Sequence, residues 1–173
     1  WGGEDSHDLL AGIEHVLAHF DVDGSRQFVI GGSYGGYMTC WLVGHTGQFS
    51  AACAIAPLTD MRSHYFTAHH PEFLAIYTRS NPWANDRVFA ERSPLTYANR
   101  VKTPTLLIAG ERDKTTPPTQ AIQFHHALVL NRIPTELALY PQEGHAAACL
   151  QAQIDQGVRV LRWFARWGRP PKQ

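Results

Sequence analysis

The sequence has no surplus of either charge: 15 Lys and Arg residues face 15 Asp and Glu, for a formal net charge of zero. A nucleic-acid binder needs a cationic excess to displace condensed counterions, so no nucleic-acid partner is expected. Long apolar runs are missing too. The longest, at residues 51–58 and 105–110, fall well short of the ~20 residues that a helix needs to cross a bilayer, so no membrane partner is expected either. Cysteine is scarce. Cys40, Cys53 and Cys149 cannot all pair with one another, and their spacing is that of neither a metal site nor a redox motif. A disulfide scaffold is therefore excluded, and a reducing, cytoplasmic compartment is the default. No basic-then-apolar leader is visible, nor any internal repeat, low-complexity tract or internal linker.

What is present is 173 residues, 44% of them apolar. That is the length of one domain, enough to bury about 70% of the surface its unfolded chain exposes. The chain opens on Trp1-Gly2-Gly3 rather than on Met and runs straight into a helical pattern with no strand before it. We expect it to be a piece of a longer polypeptide.

Leu9, Leu10, Ile13, Val16, Leu17 and Phe20 recur at helical spacing, with Ser6 available as an N-cap. Asp23-Gly24 breaks that helix, and residues 26–30 form a short β-rich run ending in Gly31-Gly32. A second helix is expected over 34–44. A continuous apolar run over 49–55, closed by Pro57, reads as a strand buried on both faces. Residues 58–100 are less regular, with Pro71, Pro82 and Pro94 punctuating short helical pieces. Beyond them come a buried strand over 105–109, a loop over 110–118, a helix over 119–130, a strand over 135–140 and a turn over 141–145. Leu150, Ile154, Val158 and Leu161 mark a closing amphipathic helix, and residues 168–173 read as a frayed tail. This order indicates an α/β fold with a mainly parallel sheet and flanking helices, which carries its chemistry at the carboxyl ends of the strands.

The first loop at that end reads Gly31-Gly32-Ser33-Tyr34-Gly35, a G-x-S-x-G pattern between a strand and a helix. A nucleophile elbow needs a sharp turn that lifts the hydroxyl clear of the sheet, with small residues to let helix and strand approach. The following helix aims free N–H groups at developing negative charge, so the backbone N–H of Tyr34 is the natural oxyanion donor. A serine hydroxyl needs a base, and the base needs an acid to hold its tautomer. Asp113 follows the strand over 105–109 and His145 follows the strand over 135–140, the order Ser, Asp, His of the α/β-hydrolases. Glu111 competes for the acid but reads better as a solvated loop charge. Ser33, Asp113 and His145 are the expected catalytic triad.

Several segments then resemble the catalytic domain of the prolyl oligopeptidase family of serine peptidases, nearest to the acylaminoacyl peptidase and dipeptidyl peptidase-like branch. They are residues 23–37 with Gly-Gly-Ser-Tyr-Gly-Gly-Tyr, Glu91-Arg92-Ser93-Pro94-Leu95, Lys102-Thr103-Pro104-Thr105-Leu106-Leu107, and Tyr140-Pro141-Gln142-Glu143-Gly144-His145. The likeness implies an α/β-hydrolase fold truncated at its N-terminal side, with residues 1–173 forming the C-terminal part of one peptidase domain and no propeller present. It implies Ser33 as nucleophile, His145 as base, Asp113 as its orienting acid and the Tyr34 N–H in the oxyanion hole. It also implies that the second oxyanion donor belongs to an upstream half of the domain, the expected partner of this chain. In the family's sheet the strand over 26–30 is central, so its outer edge would lie open here. One departure stands out: members often carry an arginine two residues after the triad aspartate to hold a substrate carbonyl, and here that position is Thr115; Lys114 or Arg112 is the possible substitute, but each reads better as a solvated side chain.

Tyr65, Phe66, Trp83 and Phe89 lie in the irregular region where such hydrolases bind substrate side chains; Tyr65 and Trp83, with Thr115, are the candidate pocket residues, although core packing is the better reading for any one of these aromatics. His15 and His19, spaced i, i+4, read as solvent-facing rather than as metal ligands, and the adjacent pairs His69-His70 and His125-His126 should point to different sides of their elements. Cys53 reads as a small buried hydrophobe, Cys149 as a thiol near but not serving His145, and Trp163, Phe164 and Trp167 as packing residues. The expected function is a serine peptidase acting on short or N-acylated peptides with no metal or organic cofactor. A carboxylesterase with the same triad, or a non-catalytic fragment with an incomplete oxyanion hole, are the alternatives.

Overall fold

The computed structural model describes residues 1–168, so the expected frayed tail lies outside the described residues beyond Gly168. Four parallel strands, β1 (Phe28–Gly32), β2 (Ala51–Ile55), β3 (Thr105–Gly110) and β4 (Thr135–Tyr140), lie side by side in chain order. The period of two decides which side chains meet which layer. From β2, Ala52 and Ala54 pack with Leu107 and Ala109 of β3 against α2 (Tyr34–His45) and α6 (Thr119–Leu130). Ala51 and Cys53 turn to the other face with Leu106 and Ile108, against Trp163 and Phe164 of α7 (Leu150–Trp167). Both central strands are buried on both faces, which is why they read as unbroken apolar runs.

A second cluster forms under α1 (Glu4–His19), where Tyr37, Trp41 and Leu42 of α2 meet Leu58, Met61, Leu74 and Phe89. Those last four come from residues 58–91, which fold as α3 (Met61–Thr67), α4 (Glu72–Thr78) and α5 (Asp86–Glu91), followed by a 3₁₀ turn at Pro94–Arg100. Three starts differ from expectation. Helix α1 begins at Glu4, because Asp5 accepts from the N–H groups of Gly2, Gly3 and Ser6, while Ser6 is buried inside the helix. Strand β1 begins at Phe28, because Asp23 binds Ser25 and Arg26 into a turn, and it keeps Gly31 and Gly32, which pair with Ala54 and Ile55. Strand β2 begins at Ala51, two residues after buried Phe49.

Two apolar surfaces remain open. On β1 the burial alternates, and Ile30 is 50% exposed, since among the described residues no strand lies beyond this one. The α7 stripe expected to mark its amphipathic face, Leu150, Ile154, Val158 and Leu161, turns outward, while Val160, Trp163, Phe164 and Trp167 pack on the sheet. The helix carries more apolar surface than four strands can cover, and its larger aromatic side chains take the sheet.

Candidate active site

At the end of β1 the chain turns directly into α2, and Ser33 sits at the turn with φ 57° and ψ −117°. A side chain other than glycine is strained there. The turn is held from both sides: the Ser33 N–H donates to the Ile55 carbonyl at 2.9 Å, and the Ser33 carbonyl accepts from the Tyr37 N–H at 2.9 Å. Small residues let helix and strand close up. A Cβ on Gly36 would stand 2.6 Å from the Ile55 oxygen, and one on Gly31 2.7 Å from the Gly35 Cα. Tyr34 is the first residue of α2, so its N–H has no carbonyl of the helix to bind and lies at the positive end of the dipole.

On the turn after β3, the Asp113 side chain is fully buried. Its Oδ1 accepts from the N–H groups of Thr115 (2.8 Å) and Thr116 (2.9 Å). Its Oδ2 accepts from the Thr116 hydroxyl (2.9 Å) and from His145 Nδ1 (2.8 Å). Burial opposes ionisation, but these hydrogen bonds outweigh it and hold the carboxyl below its ordinary range. His145, on the turn after β4, has its pKa raised by the hydrogen bond to Asp113, with partial burial opposing. A proton on Nδ1 directed at a carboxylate leaves Nε2 with its lone pair free, the tautomer a base needs. Glu111, the competing acid, is exposed.

Beside Ser33 opens a cavity of about 480 Å³, reached also by Thr115 and Thr116. Thr116 in turn stands 3.2 Å from His145 Nδ1, so the Asp113–His145 pair adjoins the cavity that Ser33 lines. Among the described residues the Ser33 hydroxyl makes no hydrogen bond, to His145 or to any other side chain. The cavity wall is aromatic: Trp1 packs on Tyr34, Phe73 and Tyr77 at centroid distances of 4.9, 5.8 and 5.0 Å. His64 lies at its edge, 3% exposed, with Nε2 2.8 Å from the Thr115 carbonyl and no partner for Nδ1. No acidic, lysine or arginine side chain is found in this lining.

Of the candidate pocket residues, Thr115 lines the cavity, while Tyr65 and Trp83 do not. Tyr65 packs into the core beneath α1 and Trp83 meets Phe66 edge to face while 78% exposed. The wall uses Phe73 and Tyr77 instead, four residues apart on one face of α4, a spacing that was there to be read. Thr116 also went unread; its signal is a hydroxyl three residues after the acid.

His15 and His19 stack on the exposed face of α1 at 4.1 Å. The rings of His69 and His70 do not diverge as expected but lie 4.0 Å apart in a loop, and His70 reaches the cavity. Among the described residues no three His, Cys, Asp or Glu side chains form a metal cluster. Cys53 is buried, and Cys149 caps α7, its sulfur accepting from the Ala152 N–H.

Comparison with known proteins decides the family, since the prolyl oligopeptidase family pattern matches residues 1–169. The chain belongs to the prolyl oligopeptidase family. It is 30% identical over 172 residues to the acylamino-acid-releasing enzyme of Mus musculus, covering 94% of this chain and 23% of that protein. It is 32% identical over 173 residues to dipeptidyl-peptidase 5 of Porphyromonas gingivalis, covering 96% and 25%. Among solved structures, the acylaminoacyl peptidase of Pyrococcus horikoshii superposes with a TM-score of 0.93 at 25% identity, over 99% of this chain and 29% of that one. The chain thus spans about a quarter of the length of these family members. No helix among the described residues is long and apolar enough to cross a membrane.

Proposed function

We propose that this chain is the C-terminal part of the catalytic domain of a serine peptidase that hydrolyses short or N-acylated peptides. The observation that carries the reading is the 2.8 Å pair of buried Asp113 with His145, on the same edge as the strained Ser33. In the mechanism, Ser33 Oγ attacks the scissile carbonyl as His145 Nε2 takes its proton, and Asp113 stabilises the imidazolium that forms. The Tyr34 N–H receives the oxyanion. His145 then protonates the leaving amine, and water repeats the cycle on the acyl-enzyme. The free Ser33 hydroxyl fits a base contact that tightens only when substrate fills the site. The aromatic wall of the cavity, with no acidic, lysine or arginine side chain in its lining, supports a substrate with an aromatic or large aliphatic side chain next to the scissile bond.

The rest of the domain belongs to the proposal. The open edge of β1 and the quarter-length match to the relatives support an upstream half that completes the sheet, with a propeller before it. That half would bring the second oxyanion donor, and a site lacking one donor turns over about 100- to 1,000-fold more slowly, about 3–4 kcal/mol. The absence of disulfides, with Cys40, Cys53 and Cys149 free, supports a cytoplasmic setting.

The test is labelling of the full-length protein with a fluorophosphonate, followed by turnover of acyl-peptide anilides and p-nitrophenyl esters. Labelling lost in Ser33→Ala together with anilide turnover is the expected result. Ester turnover alone would replace the peptidase by a carboxylesterase, and no labelling would leave a non-catalytic binding module.

A further inference from the structure

One buried hydroxyl in this site is shared by more partners than it has protons. Thr116 is 5% exposed, and its Oγ lies 2.9 Å from Asp113 Oδ2, 3.0 Å from the Ala56 carbonyl and 3.2 Å from His145 Nδ1. A hydroxyl carries one proton and two lone pairs. The carboxylate and the carbonyl can only accept, so they compete for that proton, while the Nδ1–H of His145 is shared between Asp113 and the threonine oxygen.

The third partner gives the hydroxyl its reach. Ala56 follows Ile55, whose carbonyl holds the N–H of Ser33 at 2.9 Å, and Ala56 itself takes a φ of 45°. The Thr116 hydroxyl thus joins the loop of the acid to the strand end on which the nucleophile's turn is hung. We propose that Thr116 is a positioning residue of the triad, setting Asp113 against His145 and fixing both to the strand end that carries Ser33. The inference rests on the triad reading of Ser33, Asp113 and His145.

Its consequence for catalysis follows from the competition. In the resting site the hydroxyl proton turned to Asp113 adds a fourth donor to the carboxylate. When the imidazole becomes charged it claims Oδ2 more strongly, and the hydroxyl can turn to Ala56 without leaving a polar atom unpaired. Removing the hydroxyl strips the carboxylate of one donor, which makes it a stronger partner for the imidazolium and moves proton loss from His145 to higher pH. Other titratable groups nearby do not hydrogen-bond the ring: His64 feels the Asp113 charge from α3, Glu143 is committed to the N–H groups of Ala148 and Cys149, and Glu111, Arg112 and Lys114 are exposed.

The experiment compares Thr116→Val and Thr116→Ser in the full-length protein by pH profiles of kcat/KM and by kcat and KM at the optimum. Thr116→Val should lower kcat about three- to tenfold, leave KM within about twofold and shift the acid limb upward, while Thr116→Ser should restore both the rate and the limb. If the valine variant does not fold, Thr116→Cys keeps the size with a weak donor and should show the same displaced limb. An unmoved limb with unchanged kcat, whatever happens to thermal stability, would overturn the inference; if Ser33-dependent fluorophosphonate labelling of the wild type persists, the triad reading survives it. A wild type that never labels at Ser33 removes both.

Discussion

His145 Nδ1 and Asp113 Oδ2 lie 2.8 Å apart, one ring partly open to solvent and the carboxylate fully buried behind it. The bond raises the pKa of His145, so the stability it contributes is fully present below the ordinary imidazole pKa near 6.5 and is lost as pH rises through the folded value. For a general base the same shift acts in the opposite sense, because the base must be neutral to act. Activity is therefore expected to fall on the acid side with an apparent pKa above 6.5. Asp113→Asn should lower kcat by about 10³- to 10⁴-fold, since an amide no longer enforces the Nδ1–H tautomer. Steady-state anilide turnover across pH 5–9 measures both; an acid limb below 6.5 in the wild type contradicts the assignment.

The strained turn at Ser33 gives a stability test independent of activity. Its φ of 57° is costly for any residue with a Cβ, and Ser33→Ala keeps that Cβ while Ser33→Gly removes it. Relief of strain, less the entropy cost of an extra glycine, should make Ser33→Gly more stable than Ser33→Ala by about 1 kcal/mol. In a domain of this size that corresponds to roughly 2–4 °C in Tm, readable by calorimetry of the full-length variants. Equal melting of the two variants would mean that the turn is not strained in solution.

Both features are legible in the sequence. The elbow was legible because glycine positions, strand and helix all converge on Ser33, and Asp113 and His145 were legible because each follows a strand whose apolar run is unmistakable. The layers of the sheet were legible for the same reason. The cavity wall was not. Tyr65 and Trp83 share the composition of Phe73 and Tyr77, and only the short helices between Pro71 and Pro94 decide which aromatic face turns toward Ser33. The outward stripe of α7 was equally hidden, because periodicity gives an apolar face but not which of two adjoining stripes meets the sheet.

His64 should make the folded state sensitive to acid. Burial lowers its pKa, with the Thr115 carbonyl and the charges of Asp113 and Asp60 only partly offsetting. The folded protein thus holds it neutral, and the stability tied to that neutrality is present above about pH 6.5 and lost as pH falls below it. His64→Phe removes both the titration and the unpaired Nδ1, so its denaturation midpoint should depend less on pH between 6.5 and 5 than the wild type's. Urea titrations at the two pH values decide the point, and parallel midpoints in both proteins would discard it.

The aromatic wall predicts a side-chain preference. With Trp1, Phe73 and Tyr77 on the cavity and no acidic, lysine or arginine side chain in its lining, anilides bearing phenylalanine next to the scissile bond should exceed those bearing glutamate or lysine by at least about 100-fold in kcat/KM, the scale expected for burying an unpaired charge. Tyr77→Ala should narrow that gap chiefly by weakening the apolar substrate. A lysine substrate turned over as well as a phenylalanine one would show that the side chain binds elsewhere.

The open side of β1 sets the conditions under which all of these can be measured. Phe28 and Ile30 lie on a strand whose outer edge is unpaired among the described residues, and Leu9, Val16 and Leu17 of α1, with Phe20 just after it, are exposed beside it. A row of free N–H and C=O groups flanked by apolar side chains is a template for pairing with another chain. Expressed as residues 1–173 alone, the polypeptide should elute from size-exclusion chromatography as aggregates or as oligomers joined through this edge. Co-refolding with the upstream half of the domain should return a single species that melts cooperatively. Introducing Ile30→Lys in the isolated chain separates edge pairing from general instability, because a charge on that edge should reduce association without restoring activity. An isolated chain that runs as a monomer and melts in one sharp transition would mean that four strands suffice and that no upstream half is needed to cover them.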